Sequence, residues 1–122
     1  MPIERKTVIG EDAKCIDGSP PLYYIRKGSD GGINKWHIHF QGGGWCFNEQ
    51  ECFLRMSDIL GSSRAHAGRR FEQAFKQEPY LSDSWEENPL MYNWNVVYVH
   101  YCDGSSWASD TEVVHNVSHS LE

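Results

Sequence analysis

Residues 39–46 read HFQGGGWC: an extended apolar run ends in three glycines, followed at once by a tryptophan and a cysteine. Just upstream, Trp36, Ile38 and Phe40 alternate with His37 and His39, the period-two pattern of a β-strand. A glycine-rich turn at the carboxyl end of a strand lets backbone N–H groups point into a crevice with no side chain in the way. In acyl-transfer enzymes such donors hold the oxyanion. Gly43 and Gly44 suit that role. A tight strand-to-loop turn with no chemistry accounts for the same glycines. A phosphate cradle does not, because a Walker loop needs GxxxxGK[ST] and a dinucleotide fingerprint needs GxGxxG before a helix. Trp45 and Cys46 stand in those places.

Working outward, Asp17-Gly18-Ser19-Pro20-Pro21 is a turn that feeds Leu22-Tyr23-Tyr24-Ile25, a strand. Ser29-Asp30-Gly31-Gly32 supplies a hairpin-like loop, making a leading strand and a return. Asn95 to Tyr101, NVVYVHY, is the second β-branched and aromatic run, and it and Trp36–Phe40 both read as interior strands. Between them Asn48 caps a helix with Glu51 three residues on; Phe53, Met56 and Leu60 mark its apolar face and Gly61 its end. Phe71, Ala74 and Phe75 suggest a shorter helix ended by Pro79, and Val113, Val114 and Val117 have helical spacing after a polar start at Asp110. The alternation of elements predicts an α/β fold.

At 122 residues the chain is one domain's worth or less. Its net charge is −6, and Lys27, Lys35, Arg55, Arg69 and Arg70 are scattered, so no stripe tracks a phosphate backbone and nucleic acid is excluded as a partner. No run approaches a membrane span, and Met1–Gly10 has no apolar signal-peptide core. Cys15, Cys46, Cys52 and Cys102 lack CxxC spacing, which argues against zinc and leaves reduced core thiols or two disulfides in any of three pairings. The sequon Asn116-Val117-Ser118 makes Asn116 a glycosylation candidate and adds weight to an oxidising compartment.

Gly42-Gly43-Gly44-Trp45-Cys46 is followed by Cys52 and Arg55, then by Leu60-Gly61-Ser62-Ser63, Asn88-Pro89 and Tyr92-Asn93-Trp94-Asn95, and last by Tyr101-Cys102-Asp103-Gly104-Ser105. In that order these motifs closely resemble the pectin acetylesterase family, to which the Wnt-deacylating esterase Notum also belongs. The similarity starts near Cys15-Ile16-Asp17-Gly18-Ser19-Pro20 and spans residues 13–118. The resemblance implies an α/β-hydrolase-like fold, with a mostly parallel sheet flanked by helices, and secretion to the extracellular space or cell wall. It implies a Ser, Asp, His triad that removes acyl groups from an alcohol oxygen without metal or organic cofactor. The substrate it implies is an O-acetylated polysaccharide, pectin or a related cell-wall polymer. Gly44 supports that choice over a Notum-like fatty-acyl protein substrate, because an aromatic residue stands there in Notum. Two departures are Gln77-Glu78-Pro79-Tyr80-Leu81-Ser82 in place of FxGILS, and Ala108 where glycine is common.

By the same resemblance the GxSxGG nucleophile turn and the triad Asp and His follow the YCDG segment, beyond Glu122. Residues 1–122 are then expected to be one partial domain, an amino-terminal portion carrying the oxyanion loop but not the triad, and inactive alone. Trp36–Phe40 would lead to that loop, Asn95–Tyr101 would be the next strand, and Thr111 onward would begin the helix before the nucleophile strand. Ending there leaves a sheet edge unpaired and Trp36, Ile38 and Phe40 poorly covered, an aggregation hazard. Family pairing joins Cys15 to Cys102 and Cys46 to Cys52. Trp45 becomes a pocket wall, with core packing as its plain alternative; Asp103, Ser105 and Ser106 line the crevice and meet polar substrate groups. A different class of reading is a non-catalytic, degenerate copy or carbohydrate-binding remnant.

Gly104-Ser105-Ser106-Trp107-Ala108 is close to the GxSxG elbow and follows a strand. Yet an elbow turns directly into a helix, and Ser109-Asp110 reads as a cap several residues late. Asp110, His115 and His119 are also crammed into ten residues, so Ser106 is not read as the nucleophile. His37 and His39 lack a third ligand and read as structural, as do His115 and His119; Asp83, Glu86 and Glu87 read as solvated surface.

Overall fold

The computed structural model of the chain describes residues 2–10, 12–64 and 77–110. Four strands, β1 (Ile3–Thr7), β2 (Leu22–Arg26), β3 (Trp36–Phe40) and β4 (Asn95–Val99), form one sheet in the order β1-β2-β4-β3. β1 pairs with β2 and β2 with β4 antiparallel, while β3 and β4 run parallel. The sheet is therefore mixed, which corrects the expectation of a mostly parallel one for the described strands. The chain between β3 and β4 carries helix α1 (Glu49–Arg55) and a 3-10 turn at Pro79–Leu81, as a parallel pair requires of its crossover.

The 29–32 turn does not close a hairpin either. A 3-10 turn at Asp30–Gly32 carries the chain across the amino end of β4, so that β4 lies between β2 and β3. Asn95 is the peg for this arc. Its Oδ1 accepts from the Gly28 N–H at 2.9 Å, its Nδ2 donates to the carbonyls of Ile33 and Lys35 at 2.9 Å each, and its own N–H donates to Lys35. Gly32 fits because a Cβ there would strike the Asn93 carbonyl. Asn95 is buried, so shortening it strands several backbone groups away from water. Asn95→Ala is expected to lower the unfolding free energy by about 2–4 kcal/mol, read as a lower urea midpoint at unchanged slope. Asn95→Asp is expected to be at least as costly, since a carboxylate would face the Ile33 and Lys35 carbonyls.

Leu22, Tyr24, Val96 and Tyr98 supply one buried face, covered by Leu81 and flanked by Ile3 and Ile59. Arg26 lies at the end of that face and donates from Nη1 to the Leu81 carbonyl at 2.7 Å. Register puts His37 beside Val96 and His39 beside Tyr98, so the histidines of β3 share the core face. Trp36, Ile38 and Phe40 take the other face and remain 53%, 55% and 58% exposed. Among the described strands β3 is an edge, not interior, while β4 is interior as expected. β4 carries apolar residues on both faces, the composition of a strand made to be covered on both.

Helix α1 opens as its sequence predicts. Asn48 Oδ1 accepts from the Glu51 N–H at 2.9 Å and Glu51 Oε2 accepts from the Phe47 N–H at 2.8 Å. It ends at Arg55, short of Leu60, because the chain folds back on the helix terminus: Gly61 lies so close to the Arg55 carbonyl that a Cβ would collide. The second expected helix around Phe71, Ala74 and Phe75 and the segment from Thr111 onward lie outside the described residues.

Candidate active site

Because β3 and β4 are parallel, the chain leaves both at the same sheet edge. Open α/β sheets bind ligands in such a place, outside the carboxyl ends of their strands. Gln41 extends the pairing, its N–H donating to the Val99 carbonyl at 3.1 Å while its Oε1 accepts from the Tyr101 N–H at 3.0 Å. Beyond Gln41 the glycines depart from the ladder. Gly43 has φ 153° and Gly44 φ 71°, conformations that L side chains rarely adopt. No described residue accepts a hydrogen bond from the N–H of Gly43, Gly44 or Trp45.

The segment after β4 runs alongside this loop. The Cys46 N–H donates to the Gly104 carbonyl at 3.1 Å, and Trp45 Nε1 donates to Ser106 Oγ. A solvent-open depression of about 270 Å³ lies between them, walled by Trp45, Cys46, Phe47, Gly104 and Ser105. Trp45 lines it and is 60% exposed. Asp103 is occupied with its own turn: Oδ1 accepts from the Ser105 N–H at 3.2 Å and the Trp107 N–H at 3.4 Å, and Oδ2 accepts from Ser105 Oγ at 3.1 Å. Ser106 and Trp107 both have positive φ, 55° and 66°, in a turn closed by the Ala108 N–H on the Ser105 carbonyl. No helix starts at Ser106, so the strand-turn-helix frame of an elbow is missing at that serine.

Two disulfides hold the loops. Cys46–Cys52 ties the glycine turn to α1, and Cys15–Cys102 ties the turn before β2 to the segment after β4. The Ile16 N–H reinforces the second by donating to the Cys102 carbonyl at 2.9 Å.

The histidines of β3 join an aromatic stack on the core face. His39 lies 4.9 Å from the Tyr98 ring and 5.6 Å from Tyr80, and His37 lies 6.1 Å from Tyr80. Burial holds both imidazoles below the ordinary value, and the neighbouring His39 pushes His37 down further. Burial likewise lowers His100, whose Nε2 meets the Ile59 carbonyl, and raises Tyr98 to about 12. Among the described residues no three His, Cys, Asp or Glu side chains converge as metal ligands do. Asn116, His115 and His119 lie outside the described residues.

A glycine turn whose N–H groups have no partner among the described residues, a neighbouring YCDGSS segment and two clasping disulfides make a specific combination. The family model for pectinacetylesterase matches residues 5–121. The chain belongs to the pectin acetylesterase family. Pectin acetylesterase 11 of Arabidopsis thaliana is 39% identical over 109 residues, 89% of this chain and 27% of that protein. Palmitoleoyl-protein carboxylesterase Notum of Homo sapiens is 30% identical over 101 residues, 83% of this chain and 19% of that protein. The solved Wnt deacylase Notum from Drosophila superposes with a TM-score of 0.67 at 28% identity, over 88% of this chain and 30% of that one. The chain thus spans about a quarter of the length of its plant pectin acetylesterase relatives. No described helix is long and apolar enough to cross a membrane.

Residue patterns alone gave no role to Gln41, Arg55 or Tyr101, although each holds the pectin acetylesterase loop in place. For Arg55 a signal was present: it stands three residues after Cys52, on the helix face that the Cys46–Cys52 pair would press against the glycines.

Proposed function

We propose that these residues form the oxyanion-loop part of a secreted serine esterase of pectin acetylesterase type, which removes O-acetyl groups from pectin or a related cell-wall polysaccharide. The observation that carries the proposal is the glycine turn at the carboxyl edge of β3, whose N–H groups have no partner among the described residues and which adjoins a walled depression. When a serine oxygen adds to the acetyl carbon, the carbonyl π electrons move onto its oxygen. That oxyanion needs fixed donors, which Gly43 and Gly44 supply from the backbone at no cost in reorganisation. The general base takes the serine's proton as its oxygen adds, and collapse of the intermediate re-forms the carbonyl and expels the sugar oxygen, which takes that proton from the base, now acting as general acid. Water then attacks the acetyl-serine and releases acetate. In this reading the serine and its acid–base partners are not among residues 1–122, and Ser106 is a wall-side residue that receives the Trp45 indole. Asp103 and Ser105 shape the turn that faces the sugar, and no cofactor takes part.

The substrate reading rests on similarity, 39% to the plant enzyme against 30% to human Notum. The test uses the natural protein in its full length on three substrates: acetylated pectin, p-nitrophenyl acetate and a palmitoleoylated peptide. Acetate release from pectin, with the fatty ester cleaved more slowly, is the expected result. Preference for the fatty ester would move the chain to Notum-like chemistry. No hydrolysis of any of them would leave a non-catalytic member.

A further inference from the structure

The glycine loop is held from behind by two side chains that hold the backbone by its carbonyls. Arg55 Nη2 donates to the Gly43 carbonyl at 2.9 Å and to the Gly44 carbonyl at 3.1 Å, while Arg55 Nε donates to the Leu60 carbonyl at 3.1 Å. Its guanidinium lies 5.3 Å from the centre of the Tyr101 ring. Tyr101 is buried, and its hydroxyl donates to the Gly44 carbonyl at 2.6 Å while accepting the Ser106 N–H at 2.9 Å. One carbonyl, that of Gly44, therefore receives both a cationic and a phenolic donor.

We infer that Arg55 and Tyr101 are positioning residues for the oxyanion loop, a pair that sets the direction and the strength of its N–H donors; this rests on the esterase reading above. Direction follows from peptide geometry. Every peptide bond described is trans, so a carbonyl turned toward Arg55 and Tyr101 turns the N–H of the same peptide plane the opposite way. The plane of the Gly43 carbonyl carries the Gly44 N–H, and the plane of the Gly44 carbonyl carries the Trp45 N–H. Glycine lets this backbone reach its φ values but also lets it leave them, so the order must come from elsewhere. Strength follows from polarisation. A carbonyl that accepts from a guanidinium draws electron density through its amide and makes the N–H a better donor, the cooperative effect of hydrogen-bond chains. Arg55 suits the task because its planar fork reaches the loop and Leu60 at once, which a lysine's compact ammonium cannot copy.

The test is made on the full-length protein with Arg55→Ala, Arg55→Lys and Tyr101→Phe. Tyr101→Phe keeps the ring packing and removes one hydroxyl, so it remains informative should Arg55→Ala fold poorly. Arg55→Ala is expected to lower kcat on p-nitrophenyl acetate about 10- to 100-fold with KM within about twofold, the pattern of an interaction felt in the transition state. Arg55→Lys should recover part of that loss, and Tyr101→Phe should lie between it and wild type. The second readout is independent of turnover: in 15N spectra the Gly44 and Trp45 amides, whose planes the pair holds, should drop from order parameters of about 0.85 to below about 0.6 in the variants. Unchanged kcat in both Arg55→Ala and Tyr101→Phe, or Gly44 and Trp45 amides as ordered as in wild type, overturns the inference. A wild type that cleaves no ester defeats the esterase reading instead, and the amide order then decides alone whether the pair holds the loop.

Discussion

Replacing Cys15 and Cys102 together by alanine is expected to lower the unfolding free energy by about 4–5 kcal/mol, against about 2–2.5 for the Cys46 and Cys52 pair. The difference comes from the unfolded chain. Cys15–Cys102 spans 87 positions and Cys46–Cys52 spans 6, and the entropy removed by a crosslink grows with the logarithm of the loop. The native structure needs the long bridge less than the unfolded state is constrained by it. Its two ends are already brought together by the β2–β4 ladder and by the Ile16 bond to the Cys102 carbonyl. Both of its cysteines are buried, at 4% and 3% exposure, whereas those of the short bridge are only half-buried. Mild reductant is therefore expected to open Cys46–Cys52 first, without unfolding. Urea midpoints of the two alanine pairs, with thiol labelling followed by mass spectrometry, check both statements. Equal midpoints would mean that the long bridge carries native strain or that the unfolded chain is already compact.

What was legible in the sequence is what local chemistry dictates. The NVVYVHY strand, the turn at Asp17–Pro21 and the Asn48–Glu51 cap each depend on neighbours a few residues away, and each stands where the pattern puts it. Strand order was not legible. The Ser29–Gly32 turn has hairpin composition, yet its destination is set by Asn95, more than sixty residues downstream, whose amide holds the loop across the end of β4. Period two in Trp36–Phe40 identified a strand but not its inner face, and the histidines took the core side because Tyr80 and Tyr98 supply aromatic faces for them. Of the site, the glycines were legible as glycines and the disulfide pairing only through family resemblance. Arg55 and Tyr101 act on backbone carbonyls, and a carbonyl leaves no mark on residue identity. α1 stops a turn short of its apolar pattern because the fold-back at Gly61 needs the close approach to Arg55, a tertiary fact.

Substituting Gly44 by alanine in the full-length protein is expected to reduce kcat for ester hydrolysis by about 10²- to 10³-fold while leaving the fold intact. A methyl group at Gly44 meets no atom within 4 Å, so the change is a pure test of backbone conformation. At φ 71° an L-alanine is disfavoured by about 1–2 kcal/mol, enough for the peptide to rotate out of its present plane. Rotation swings the Gly44 N–H away from the developing oxyanion, and an oxyanion donor acts only when its direction is fixed beforehand. Gly43→Ala adds a steric effect to the same loss. Its methyl would stand 2.8 and 2.9 Å from the two Leu60 methyl carbons and 3.4 Å from Arg55 Nη2, so it should also displace Arg55 and lower the melting temperature further than the backbone strain of Gly44→Ala does. Gly31→Ala is the control: it has open space and no positive φ, and its kcat should equal that of wild type. The decisive comparison is therefore kcat at matched KM for Gly44→Ala and Gly31→Ala. Equal rates would reduce HFQGGGWC to a tight turn, whereas a drop confined to Gly44 and Gly43 ties its bare backbone to the chemistry.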